Sequence, residues 1–366
     1  MKEKIAFYFA TSGHSGVDRA MQHLIPAVTR RGYPVDLLHV RKHGPHFPTP
    51  PEGLRIIDLG ASHVYNSLPA VVRYLKTEKP VVMLSDKDRV NRTAFFARML
   101  SRAPTRLVFS SGTTLSIELA NRGLIDRTLQ RWSFGRLYRH VSNVIVTAEG
   151  VKTDMFEYTG LPLEKIEVVP SPVVPAELFV NAQPKPDHPW FQDGEPPVVL
   201  GVGELCRRKD FPTLIKAFAK VRRNVECRLV ILGRGRDGEA LQALAGELGV
   251  ADAVSFAGFA PNPYPYMAHA AVFAFTSLWE GLGFVIIEAL AVGTPVVATD
   301  CPSGPREILQ DGKYGRLVPV GDVAAVAAAI EQTLSQRPDA DFLRQAAAPY
   351  EIENSTNAYL KAMGLE

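Results

Sequence analysis

Cysteine is almost missing from this 366-residue chain: Cys206, Cys227 and Cys301 are its only three, and no two form a CxxC pair. That scarcity excludes a disulfide framework and a thiolate metal cluster, and it leads to the expectation of a reducing, cytoplasmic setting. Long hydrophobic runs are lacking as well, and even the helical Ala-rich segment at 323–335 is too short and polar to span a bilayer. The opening Met1-Lys-Glu-Lys runs straight into Ile5-Ala-Phe-Tyr-Phe9, which reads as a buried strand, so no secretory signal is expected. Nor is there an excess of one charge: 22% of residues are charged and the net is only +3, with 46% hydrophobic. Disordered, fibrous and membrane-embedded classes are excluded by that balance, and no repeat of solenoid period is present.

What is there is enough chain for two domains with full cores, at ~100 to 200 residues each. The small net charge conceals an asymmetry. Residues 1–180 carry 24 Lys and Arg against 16 Asp and Glu, net +8, whereas residues 181–366 are net −5. A basic half suits an anionic partner: phosphate, nucleic acid or a membrane surface.

Apolar runs of strand length alternate with amphipathic segments throughout, the pattern of parallel sheets covered by helices. Strands are expected at 5–11, 35–40, 55–59, 81–85, 106–110, 144–147 and 166–169, then at 198–203, 228–232, 254–257, 272–276, 295–299 and 316–319. Eight prolines between Pro170 and Pro197 interrupt this rhythm, because proline can continue neither helix nor ladder. The expected organisation is therefore an α/β chain with a doubly wound domain at 1–178, a proline-rich linker at 179–197 and a second doubly wound domain at 198–345. A helical tail at 346–366 is expected to pack back on the first domain. Two such domains would face each other across a cleft at the carboxyl ends of their strands, where open α/β sheets bind ligands.

The richest loop reads Ser277-Leu-Trp-Glu280-Gly-Leu-Gly-Phe-Val-Ile-Ile-Glu288. Gly281 and Gly283 stand just before a helix, where backbone N–H groups and the helix dipole favour an anion such as a diphosphate. Glu288 within the helix can accept hydrogen bonds from a ribose and Glu280 can hold the hydroxyls of a second ring. The plainer reading is a helix cap with two solvated glutamates. Further on, the frame continues as Glu288-Ala-Leu-Ala-Val-Gly293-Thr-Pro295-Val-Val-Ala-Thr-Asp300. With the stretches at 301–309 and 315–322, it resembles the donor-site signature of the family-four retaining glycosyltransferases, the glycosyl transferases group 1 of GT-B fold. The resemblance extends upstream through 201–259 and is weaker in the first half.

The resemblance implies two Rossmann-like domains and a retaining transfer of a hexose or N-acetylhexosamine from a nucleotide sugar, UDP-linked, to a glycan or lipid-linked acceptor. It assigns the ribose to Glu288, sugar hydroxyls to Glu280, the diphosphate to the backbone of Gly281, Leu282 and Gly283, and donor phosphates to Lys209. Glu280 and Lys209 are then the catalytic candidates, by front-face substitution with the leaving diphosphate helping to deprotonate the acceptor. The resemblance makes the acidic half the donor domain and the basic half the acceptor domain. Neither a metal nor another cofactor is expected. An epimerase of the same architecture and a non-catalytic sugar-nucleotide binder are the alternative readings.

Three cations in a row, Arg207, Arg208 and Lys209, follow a strand and suit a departing diphosphate; at Glu204, where many relatives have arginine, this chain has an acid instead. Gly233-Arg-Gly235-Arg-Asp-Gly238 fits a dinucleotide fingerprint only formally, since a strand and helix already precede it. In the first half, Gly13, His14, Ser15 and Gly16 form a glycine-rich loop suited to phosphate or acceptor, with His14 able to titrate near neutrality. Asp86-Lys87-Asp88 resembles a metal-binding DxD, but the intervening lysine and the following Arg89 and Arg92 argue against a metal. Arg122, Arg127, Arg131, Arg136 and Arg139 interleave with Leu129, Trp132, Phe134 and Tyr138, as in a helix lying on an anionic membrane or an ordinary amphipathic one. No zinc, RNP or helix-turn-helix signature accompanies these cations, so nucleic acid is not expected.

Overall fold

The computed structural model describes residues 2–13, 15–120 and 122–365. It divides into two compact units, the first formed by the chain up to Val173 together with Ile352 onward, the second by Val174–Glu351.

In the first unit, strands β1 (Ile5–Phe9), β2 (Val35–His39), β3 (Leu54–Asp58), β4 (Val82–Asp86), β5 (Arg106–Ser111), β6 (Asn143–Val146) and β7 (Ile166–Val168) form one parallel sheet in the order β3-β2-β1-β4-β5-β6-β7. β1 is an interior strand between β2 and β4, and all five of its residues are buried, as in a strand covered by helices on both faces. Ile5 pairs with Val35 on one side and Val82 on the other. The helix Gly16–Arg30 lays Met21, Leu24, Ile25 and Val28 on the sheet, each contributing about 1.5–3 kcal/mol of burial.

The second unit repeats the plan with β8 (Val198–Val202), β9 (Arg228–Leu232), β10 (Val254–Gly258), β11 (Val272–Phe275), β12 (Val296–Thr299) and β13 (Arg316–Val318), ordered β10-β9-β8-β11-β12-β13 and all parallel. Its core gathers Leu214 and Phe218 from the helix Phe211–Val221, Leu229 and Ile231 from β9, and Ile330 from the helix Val323–Ser335. In each sheet the strand order reverses once, between β1 and β4 and between β8 and β11. The crevice outside the carboxyl ends of those strands is where such sheets take ligands.

The proline-dense stretch expected as a linker is folded onto the second unit. His188 hydrogen bonds Ser255, Arg228 lies over the Trp190 ring, and Phe191 meets Tyr266 edge-on. Proline excludes regular structure there, but Phe191 between the prolines is still buried and Trp190 is half-buried. The tail is broken at Ala348-Pro349, where proline prevents helix continuation, and the helix Ile352–Ala362 joins the first unit through Ser355 to the Pro170 carbonyl and Arg31 to Glu353. The arginine-rich stretch is not one helix: Leu124–Trp132 is α-helical, Ser133–Leu137 a π turn and Tyr138–His140 a 3-10 turn. The irregular turns bury Phe134, Leu137 and Tyr138 while the preceding helix buries none of its residues. Among the described residues no helix is long and apolar enough to cross a membrane.

Candidate active site

The loops after β8 and β11 meet at the reversal point of the second sheet, and hydrogen bonds to backbone carbonyls hold them together. The Thr276 hydroxyl donates to the carbonyls of Lys209 and Asp210 at 3.1 and 3.0 Å, and the Leu278 amide donates to the Arg208 carbonyl at 2.8 Å. This stitching brings cations and carboxylate together across 71 residues of sequence. Lys209 Nζ donates to Glu280 Oε1 at 2.6 Å, Arg208 Nη1 lies 2.5 Å from Glu280 Oε2, and the Ser277 hydroxyl donates to Oε1 at 2.9 Å.

Both Glu280 and Lys209 are 9% exposed. The lysine stem runs beside Gly203, and its ammonium stands 4.9 Å from the centre of the Phe275 ring. An ion pair this sheltered is held in one geometry, unlike a surface pair. The Cys301 thiol is pushed up to about 12 by burial and by the Glu280 charge nearby, so it stays protonated. Of the three cations, Arg208 and Lys209 reach Glu280, while Arg207 and Glu204 are exposed.

The helix Phe284–Ala291 starts at Gly283, whose φ of 92° is left-handed, and its first turn contains no acid and no side-chain cap. Its N-terminus therefore presents backbone donors next to the cation cluster. Leu282 is buried, and its carbonyl lies where a Cβ on Gly304 would be, at 2.0 Å, so the loop after β12 rests directly on Gly281-Leu282-Gly283. Glu288, one turn and a half into the helix, is fully buried. That excludes a solvated glutamate face and places the carboxylate where its desolvation must be compensated. Gly233 serves close packing: a Cβ there would sit 1.8 Å from the Gly203 carbonyl oxygen. The glycine-rich turn after β9 thus supports the β8 loop.

In the first unit, Gly13 and Ser15 lead into the helix Gly16–Arg30, and His14 lies outside the described residues. Ser15 and Asp18 form a reciprocal capping box, and Asp18 also accepts from Thr11. The anion position at this N-terminus is thus filled by the chain's own carboxylate. After β4, Lys87 occupies the N-cap of the helix Asp88–Ser101 at φ 70°, while Asp88 bonds to Arg92 at 3.1 Å and accepts from Ser133 at 2.8 Å. Asp88, the first residue of that helix, pairs with Arg92 and makes no side-chain cap. Asp86 is buried and its carboxyl is raised to about 6 by desolvation. With Lys87, Arg92, Tyr65 and Glu118 these acids line a cavity of about 640 Å³. Sequence reading did not single out Asp86 as a titrating group or this cavity, because the cavity is lined by residues as far apart as Val17, Asp86, Glu118 and Phe134, which only the fold brings together.

Residues 184–349 match the family of glycosyl transferases group 1, and residues 15–172 match the glycosyl transferase 4-like domain. The lipopolysaccharide core biosynthesis glycosyltransferase LpsE of Rhizobium meliloti is 30% identical over 342 residues, covering 90% of this chain and 88% of that protein. The chain belongs to the glycosyl transferases group 1 family. A second relative of this glycosyltransferase, the N-acetylgalactosamine-N,N'-diacetylbacillosaminyl-diphospho-undecaprenol 4-alpha-N-acetylgalactosaminyltransferase of Campylobacter jejuni, is 32% identical over 64% of the chain, and the match spans 61% of that relative's length. Among solved structures, Anabaena Alr3699/HepE in complex with UDP superposes with a TM-score of 0.78 at 20% identity over the whole of both chains. The group 1 glycosyltransferase thus has two Rossmann-like domains of GT-B type.

Proposed function

We propose that this glycosyltransferase moves a hexose or N-acetylhexosamine from a UDP-sugar to a glycan or lipid-linked acceptor in lipopolysaccharide or related cell-surface glycan synthesis, with retention at the anomeric carbon and without a metal. The observation that carries this reading is the Glu280–Arg208–Lys209 cluster beside the uncapped helix that holds Glu288. The naming of LpsE for lipopolysaccharide core synthesis and the UDP bound in Alr3699/HepE support it.

In this reading the diphosphate lies against the backbone of Gly281, Leu282 and Gly283, its ribose against Glu288 and the sugar hydroxyls against Glu280. Lys209 and Arg208 offset the charge that develops as the bond from the anomeric carbon to the phosphate oxygen breaks. The acceptor hydroxyl attacks from the same face, and its proton passes to the leaving diphosphate. Two cations satisfy the diphosphate charge without a metal, and the carboxylates of Asp86-Lys87-Asp88 are already engaged with protein groups. The acceptor is assigned to the first unit. Three free thiols, two of them buried, suit a reducing compartment.

Incubation with a panel of nucleotide sugars and mixed acceptors is expected to release nucleoside diphosphate. Glu288→Ala is expected to weaken UDP binding about 10- to 100-fold by calorimetry, the loss of one or two hydrogen bonds to a charged group. Because Glu288 is buried, Glu288→Gln provides the isosteric control. UDP affinity unchanged in both variants overturns the site assignment.

A further inference from the structure

The helix Leu124–Trp132 of the first unit is amphipathic in the wrong direction for a protein core. None of its nine residues is buried, and Leu124, Ile125, Leu129 and Trp132 are 77, 84, 43 and 50% exposed. At 100° per residue these four and Thr128 fall on one face, with Asp126 and Gln130 on the other. Four large apolar side chains presented together to water form a patch of the kind that marks a binding surface.

Charge identifies what covers it. Between residues 122 and 140 there are five arginines and one acid, Asp126. Arg127 and Arg131 border the apolar face, and with Arg136, Arg139, Trp132 and Tyr158 they line an adjoining groove of about 510 Å³. Arg131 stacks on the Tyr158 ring at 5.7 Å and Arg139 donates to the Gly160 carbonyl, so the groove walls are ordered. Arg122, further off, is paired with Glu118. An apolar face edged by guanidinium groups and an interfacial tryptophan matches the cross-section of a bilayer surface, hydrocarbon below and phosphates above. A protein partner would need acids and shape complementarity; a bilayer needs only this layering.

We propose that the first unit docks on an anionic phospholipid bilayer through the helix Leu124–Trp132, with Leu124, Ile125 and Trp132 entering the acyl boundary and Arg127, Arg131, Arg136 and Arg139 contacting lipid phosphates. The proposal deepens the transferase reading by making the acceptor a membrane-resident, lipid-linked one. Leu129 at the edge of the apolar face, with Asp126 and Gln130 beyond it, lines the cavity that holds Asp86 and Lys87, so docking brings that cavity to the lipid surface. Its test is scored without turnover, so failure of docking and failure of the transferase reading are separate results.

The full chain is sedimented with vesicles of phosphatidylcholine alone or with 30% phosphatidylglycerol, at low and high salt. Binding is expected only to the anionic vesicles, and it should fall as salt screens the surface. Arg127→Glu with Arg131→Glu should lower the partition at least about 20-fold, at roughly fivefold per basic residue. Leu124→Ser with Ile125→Ser should lower it about 10-fold or more for each side chain withdrawn from the acyl region. Both double variants should keep the wild-type melting temperature and UDP affinity, because they alter exposed positions. Inorganic phosphate at equal ionic strength should leave vesicle binding unchanged; displacement by it reassigns the groove to free phosphate and overturns docking. Equal binding to neutral vesicles, unaltered binding of both variants, or a concentration-dependent dimer that Leu124→Ser with Ile125→Ser abolishes each overturns the proposal as well.

Discussion

The two units build the same reversal point and then treat it in opposite ways. After β1 the first unit caps its helix with Ser15 and Asp18, so the positive end of that helix is already occupied by a carboxylate. After β11 the second unit starts its helix at Gly283 with no acid and no cap, and sets two cations beside it. A diphosphate approaching the first site meets a like charge, while at the second it meets donors and cations. The sheet topology supplies a crevice in each unit, and in the proposed reading the uncapped helix after β11 is the one that takes the anionic leaving group.

Glu280 is the sharpest test of that division, since it pairs with both Arg208 and Lys209. Glu280→Gln is expected to reduce turnover about 100- to 1000-fold, in the range of a lost transition-state contact. UDP binding should be unchanged or tighter, because the cations are no longer neutralised by the protein itself. Without ligand the variant should melt lower, since Lys209 is left buried with no counter-charge, and UDP should restore more stability to it than to the wild type. Nucleoside diphosphate release, calorimetry and thermal melts report these three effects. A parallel loss of UDP binding and turnover would place Glu280 in uniform donor binding instead.

In the first unit the corresponding probe is Asp86, whose carboxyl is raised from 3.8 to about 6 by burial. An acid raised by folding penalises the folded state wherever it is ionised, so this penalty is absent below about pH 4 and grows as pH rises to about 6. Asp86→Asn removes it, and its carbonyl oxygen still accepts from Ser110. Relative to the wild type the variant should gain up to about 3 kcal/mol above pH 6 and nothing near pH 4. Urea denaturation at both pH values measures the difference. A gap independent of pH would show that Asp86 does not ionise in that range.

The second unit's candidate site was legible as a cluster because its residues are local: Glu280, Gly281, Gly283 and Glu288 lie within nine residues, and strand periodicity placed them after β11. What the sequence left open was which cation meets Glu280. That is settled by two loops stitched through Thr276 and Leu278, and such tertiary hydrogen bonds have no periodicity to read. The first unit was less legible for the same reason. Asp86 and Asp88 resembled a metal motif, but Asp88 is held by Ser133 and Tyr138 from the irregular turns nearly fifty residues on, and Asp86 by Ser110 from β5. The linker reading relied on proline as a breaker; the packing of Phe191 against Tyr266 and of Trp190 under Arg228 is tertiary and leaves no local pattern. Gly233 fitted a phosphate fingerprint, whereas its observed duty is to let two backbones approach.

One position compares the units directly. Lys87 follows β4 and Gly283 precedes the helix after β11; both are N-caps at the reversal point, and both have positive φ, 70° and 92°. Glycine adopts this conformation without strain, whereas a lysine there costs about 1–3 kcal/mol. The first unit keeps the strained residue at the wall of the cavity that also contains Asp86, which a glycine would leave without its ammonium. Lys87→Gly should therefore stabilise the protein by about 1 kcal/mol net of the extra unfolded-state freedom of glycine, while Lys87→Ala, which removes the side chain but keeps the strained backbone, should not. If the lysine is retained for the acceptor, both variants lose acceptor affinity equally while UDP affinity is untouched. Denaturation midpoints separate the backbone effect from the side-chain effect, and a glycine variant less stable than the alanine one would remove the strain argument.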